Sequence, residues 1–338
     1  MSARRFLLPV TLTAMMLGMA AYAEDTDAIY GDGDGTTKDP AQVKGTVPQI
    51  DLEVSYKVIA KLPEVPAALP TYLVKPVDPT AIDPRREPVA QAFGFEPKSR
   101  DTDRADDGAL SMMLTDSDQR SIEYFSSGAV FYMERQLFSE HADDLLAGQK
   151  LERDSATRLY ASQAGEFLKG HGLARGGMYL KDVSFVEVKS MERGGKLENV
   201  KTVAAAAHFG HRLDGFPAWG PGAKTTVYFG PNGISGLYDA LPDLARGDMV
   251  EVRPAEKALA DYIASKSPQT LYRLHTGAVN QVVIQQVELV YYVDAGNRNQ
   301  QVVSPYYLIQ GTFYGLDVSS EKGGENQAEF VWMEPATL

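Results

Sequence analysis

Two spacings govern where apolar residues fall along this chain. From Ala156 to Leu168 they return every three or four positions, through Leu159, Tyr160, Ala164 and Phe167, with Gln163 on the same face. That period predicts a helix with one mostly apolar face, opened by Asp154 or Ser155 and ended by Gly170 or Gly172. Ala255, Ala258, Leu259, Tyr262 and Ile263 repeat the pattern after Pro254, a residue suited to a first helical turn. Elsewhere the pattern alternates or runs apolar, as strands do. Leu110–Leu114, Ser121–Phe125 and Ala129–Met133 read as strands, the last two joined at Ser126-Ser127-Gly128. Val183–Val188 and Val203–His208 follow the first helix. Thr225–Phe229 and Ile234–Tyr238 flank Gly230-Pro231-Asn232-Gly233, which is hairpin-turn chemistry. Val282–Val293 and Val302–Tyr314 read as long strands, with an edge or bulge forced at Pro305, and Ala328–Trp332 as a last edge strand.

The order hairpin, helix, strand occurs twice, which predicts a weak internal duplication. The expected architecture is α+β: two tandem lobes, residues 51–195 and 196–338, each an antiparallel sheet with a packed helix. A disordered, Gly/Asp-rich acidic tail (24–50) precedes them. Ten of the 19 prolines fall between Pro40 and Pro97, so that stretch is expected to be mostly extended. Within it Leu52–Val58 and Tyr72–Val74 read as strands, Arg85–Phe93 as a short helix, and Asp101–Asp107 as a charged connector.

Composition adds an address. Arg4 and Arg5, the apolar run Phe6–Ala20, and Ala21-Tyr22-Ala23 before Glu24 form a signal-peptide pattern with cleavage after Ala23. That run falls short of the ~20 residues that span a bilayer, so no membrane span is expected after cleavage. The net charge of −12 argues against nucleic acid, which requires clustered Lys and Arg. With no cysteine, disulfides and thiolate-bound metals are excluded, so an exported chain must rely on core and sheet.

Certain stretches resemble the PepSY-like and YycI-like modules of secreted bacterial proteins. They are Ile122–Tyr132; Ala156–Leu173 with its His171-Gly172-Leu173 ending; Leu213–Pro217 through Val227-Tyr228-Phe229 to Gly233; and Leu289–Val293 followed by Ser304-Pro305-Tyr306-Tyr307. The resemblance implies small modules, each a helix against an antiparallel sheet, that bind or inhibit proteins and perform no chemistry. The chain departs from it in having no retained transmembrane helix and no peptidase domain.

Candidate chemistry is sparse. His208-x-x-His211 invites a metal reading, but on a strand residues three apart face opposite sides, so joint ligation needs a bend at Gly210. Asp32-Gly33-Asp34-Gly35 starts like a calcium loop yet has Val43 where the bidentate Glu belongs. Ser235 lies outside a nucleophile elbow, and Gly220-Pro221-Gly222 leads to a strand, not to a phosphate-holding helix. Glu134, Glu140, Asp143 and Asp144 cluster near His141 and read as a solvated acidic face. No motif calls for a cofactor.

The aromatics offer more, since they stand in adjacent pairs on expected strands, where one ring of each pair enters the core and its neighbour faces away. Tyr132, Trp219, Tyr228, Tyr292 and Tyr307 are the candidate binding residues. The leading expectation is a secreted or periplasmic, non-enzymatic protein that binds an envelope or extracellular protein. Two alternatives stand beside it: an extracellular metal-dependent hydrolase using His208 and His211, and a structural part of a surface appendage.

Overall fold

The computed structural model describes residues 54–134, 144–146, 151–191, 197–265, 278–316 and 325–337. The expected signal peptide, the acidic tail with its Asp-Gly repeat, and Glu140, His141 and Asp143 lie outside the described residues. The described chain runs through β1 (Ser55–Val58) and β2 (Ala68–Val74), then two 3-10 turns and helix α1 (Pro88–Ala92). Next come β3 (Ser99–Arg104), β4 (Leu110–Thr115), β5 (Ser121–Phe125) and β6 (Val130–Met133). Helix α2 (Arg153–Gly170) precedes the long strands β7 (Tyr179–Met191) and β8 (Leu197–Gly210). There follow β9 (Arg212–Leu213), β10 (Phe216–Trp219), β11 (Lys224–Gly230), β12 (Gly233–Asp239) and β13 (Leu244–Glu251). Helix α3 (Ala255–Ser265) leads to β14 (Ala278–Tyr292), β15 (Val302–Val303), β16 (Pro305–Leu316) and β17 (Glu325–Pro335).

The chain divides into two units that interleave in sequence. The first holds Tyr72–Gly247 and Tyr291–Val303. Its frame is an eight-stranded sheet in the order β3-β4-β5-β6-β12-β11-β8-β7, with antiparallel pairing at every step. Strand alternation gives this sheet two faces. One cross-strand row, Leu114, Ile122, Tyr132, Leu237, Val227 and Ala207, lies wholly in the core. Helix α2 covers it with Ala156, Tyr160, Ala164 and Leu168, every fourth residue, and α1 adds Val89 and Ala90. Burying a large apolar side chain of this kind contributes about 1.5–3 kcal/mol. The helix begins at Arg153, one residue before the expected cap, and ends at His171 with Gly172 at φ +68°. β10 runs parallel to the end of β14, pairing Ala218 with Tyr291 and Trp219 with Tyr292.

The second unit holds residues 54–71, Asp248–Val290 and Ser304–Leu338. Here β16 lies between β17 and β14, and β1 runs parallel to β14 from Ser55–Gln281 to Val58–Ile284. Helix α3 buries Ala255, Ala258, Leu259 and Tyr262, and Tyr262 meets Trp332 edge-on at 5.5 Å. Arg253 ties the unit together, pairing with Asp261 at 2.8 Å and Glu334 at 3.0 Å.

Four expectations are corrected. The fold is predominantly β, not a helix-packed α+β pair of tandem lobes, since strands fill most of the described chain and only α1, α2 and α3 are α-helical among the described residues. No boundary falls near residue 195, because β6 pairs with β12 and one sheet takes strands from both sides. The two hairpins, β5–β6 and β11–β12, are therefore neighbours in one sheet and not copies in two lobes. Asp101–Asp107 is no connector either: β3 is a fully exposed edge strand, and its charges suit an edge that must not recruit other chains.

Candidate functional site

The second face of the eight-stranded sheet is polar and aromatic. One cross-strand row on it takes a residue from each strand in turn: Asp101, Met113, Glu123, Phe131, Tyr238, Thr226, His208 and Asp182. Over part of this face opens a cleft of about 410 Å³, within the first unit. Its walls include Phe125, Phe131 and Tyr238, with Lys224 to one side and Glu123 and Asp103 to the other. Pro221, Ala295 and Asn297 complete it from the loops. Phe131 and Tyr238 meet edge to face, centroids 5.7 Å apart, and the Lys224 Nζ stands 5.8 Å from the Tyr238 ring.

The electrostatics of the cleft follow from burial. Lys224 is held below the usual lysine range by loss of solvent, with Lys181 nearby adding like-charge repulsion. Among the described residues no carboxylate lies within ion-pair distance of it. Burial raises the Tyr238 hydroxyl, against a hydrogen bond from the Gly296 amide, and Glu123 raises it further. These groups can hold a ligand: aromatic walls for an apolar body and charges of opposite sign towards the two ends.

The loop side is fixed by close backbone approach. Gly222 donates to the Val293 carbonyl at 3.1 Å. A Cβ there would collide with the Asp294 carbonyl, and one on Gly220 (φ +112°) with the Val293 carbonyl. Gly220-Pro221-Gly222 thus seats a cleft wall, a role its turn chemistry alone does not announce.

Each adjacent aromatic pair splits as strand geometry requires, but two of the candidate rings are the core members. Tyr132 is fully buried and stacks on Phe93 at 3.7 Å; its neighbour Phe131 faces the cleft. Tyr307 is fully buried, its hydroxyl bonded to the Arg253 carbonyl. Neither is a recognition residue. Tyr228 is half-buried on the cleft face of β11, outside the cleft lining, and burial lifts its hydroxyl to about 12. Trp219 and Tyr292 are half-buried partners across the β10–β14 pairing, rings 6.2 Å apart. The residues that the sequence pattern missed are Glu123, Phe125, Phe131, Lys224 and Tyr238. Once a core row is fixed, alternation places every one of these except Phe125 and Lys224 beside it; those two sit two positions along the same strands.

The histidines belong to opposite faces. His208 bonds Ser184 at 2.8 Å and Thr226 at 3.1 Å, whereas His211 bonds Thr225 at 3.0 Å. Thr225 and Thr226 are consecutive on β11 and point to opposite sides, so the two rings cannot share an ion. Among the described residues no three of His, Asp and Glu converge as a metal site. His211, Thr225 and Asp239 are the residue types of a catalytic triad in an order that does not activate. Thr225 sits between the other two and donates its hydrogen to Asp239 at 2.8 Å, and Arg175 in turn pairs with Asp239 at 2.9 Å. His211 must therefore donate from Nε2, which makes it neutral; burial and Arg175 lower its pKa to about 4. Ser235 is buried and bonds locally to the Gly233 carbonyl.

No known protein-family model matches the chain, and no curated protein matches it. Among solved structures it is similar to an uncharacterized protein from Eubacterium rectale ATCC 33656, at 11% identity and a TM-score of 0.48. That likeness covers 84% of this chain and 89% of the other. No helix among the described residues is long and apolar enough to cross a membrane.

Proposed function

We propose that this chain is an exported, non-enzymatic binding protein of the bacterial cell envelope, and that its partner protein inserts a segment into the cleft of the first unit. The observation that supports this reading is the make-up of the cleft: Phe125, Phe131 and Tyr238 between Lys224 and Glu123. Large rigid rings flanked by charge are what protein recognition sites favour. The leader-like residues 1–23 place the partner outside the cytoplasm. The resemblance to PepSY-like modules points to the same class of role. No observation favours the hydrolase alternative, because His208 and His211 are committed to separate faces. The test is capture from an envelope fraction by the tagged chain beginning at Glu24. A stoichiometric partner should be retained by the native chain and lost with Phe131→Ser, provided the variant melts within a few degrees of the native protein. Turnover of peptides or glycans by the pure protein would overturn the proposal.

A further inference from the structure

The cleft has a polarity along its length. At one side Lys224 carries an ammonium with no carboxylate partner among the described residues, and the Lys181 side chain lies close by, packed over Gly210 opposite Lys224. At the other side stand Glu123 and Asp103. From β5 to β11 the row Glu123, Phe131, Tyr238 and Thr226 covers three strand spacings, and Lys224 lies two residues before Thr226. Strands ~4.8 Å apart and a rise of ~3.3 Å per residue put Glu123 and Lys224 about 16 Å apart at the backbone. Phe131 and Tyr238 fill the interval. A volume near 410 Å³ suits a ligand of a few residues and excludes a folded element.

Resting on the binding reading above, we infer that the cleft takes a short extended peptide segment that presents a carboxylate to Lys224 and a cationic group to Glu123, with an apolar side chain between them on Phe131 and Tyr238. An extended chain advances ~3.3 Å per residue, so a lysine side chain and a carboxylate two to four residues apart span the interval. The carboxylate can come from a chain end or from an Asp or Glu side chain, and the two sources are separable. Because the ammonium is partly desolvated and lacks a counter-ion, an arriving carboxylate stabilises its charged form. Binding therefore takes up a proton at alkaline pH.

The probe is the tetrapeptide Lys-Phe-Ala-Phe with an acetylated N-terminus, titrated calorimetrically into the full chain. The free acid should bind about tenfold tighter than its C-terminal amide. Above neutral pH its heat should change with the ionisation enthalpy of the buffer. Lys224→Met should abolish both differences, and Glu123→Gln should weaken the lysine peptide but not its alanine analogue. An amidated peptide ending in Asp that recovers the lost affinity assigns a side-chain carboxylate; failure to recover assigns a chain end. Equal binding, or none, by acid, amide and alanine analogues overturns the inference. If the envelope partner is still captured by the native chain and lost with Phe131→Ser, the binding role survives that result. If capture fails as well, both readings fall.

Discussion

Thr225 holds its hydroxyl between two buried groups that each need it. It donates to Asp239 and accepts from His211, and all three side chains are sealed from solvent. Thr225→Val keeps the shape and leaves a carboxylate oxygen and an imidazole N–H unpaired. We expect a loss of about 2–4 kcal/mol in urea unfolding, and much less from Thr225→Ser. His211 makes this network sensitive to acid. Its folded pKa near 4 lies below the unfolded value of about 6.5, so between those limits the unfolded chain binds the extra proton. Stability from this residue is complete above about pH 6.5 and declines as the pH falls towards 4, by at most ~3 kcal/mol. The burial-raised carboxyl of Asp239 slopes the other way. Unfolding midpoints of native protein and His211→Gln, compared across that window, isolate the histidine: the variant should show the flatter dependence on its acid side.

Two glycines give opposite outcomes because of the elements around them. Gly165 lies in α2 with open space where a Cβ would go, so Gly165→Ala should raise the melting temperature through a gain of about 0.5–1 kcal/mol. Gly222→Ala drives a methyl into the Asp294 carbonyl and should cost at least ~2 kcal/mol while distorting the cleft wall. The elements with a strong period were legible in sequence: α2, α3 and the β5–β6 and β11–β12 hairpins stand where their spacing and turn residues put them. β3 and β13 were not. β3 buries nothing and therefore shows no alternation. Val302–Tyr314 reads as one strand, yet the chain changes partners at Ser304, β15 pairing with β2 and β16 with β17. The site was half legible: pairs such as Phe131-Tyr132 announce two faces, but which ring is inside depends on register with β12, a partner about a hundred residues away.

At the scale of the whole molecule, interleaving decides what can be separated. A fragment of residues 51–195 holds β3–β7 but lacks β8, β11 and β12, leaving the inner edge of β6 and the whole of β7 unpaired. We expect that fragment to be insoluble or to exchange its amides within seconds, whereas the full chain should protect the strands flanking β12 to near the global limit. The same interleaving sets a timetable for the nascent chain. β1 waits for β14, and β2 waits for β15, each across more than two hundred residues. The first unit is complete only when Val303 has emerged, and the second only after β17. Loops that long close late and slowly. Such a chain stays threadable through a narrow export channel for most of its synthesis, with its native shape deferred until it has reached the far side.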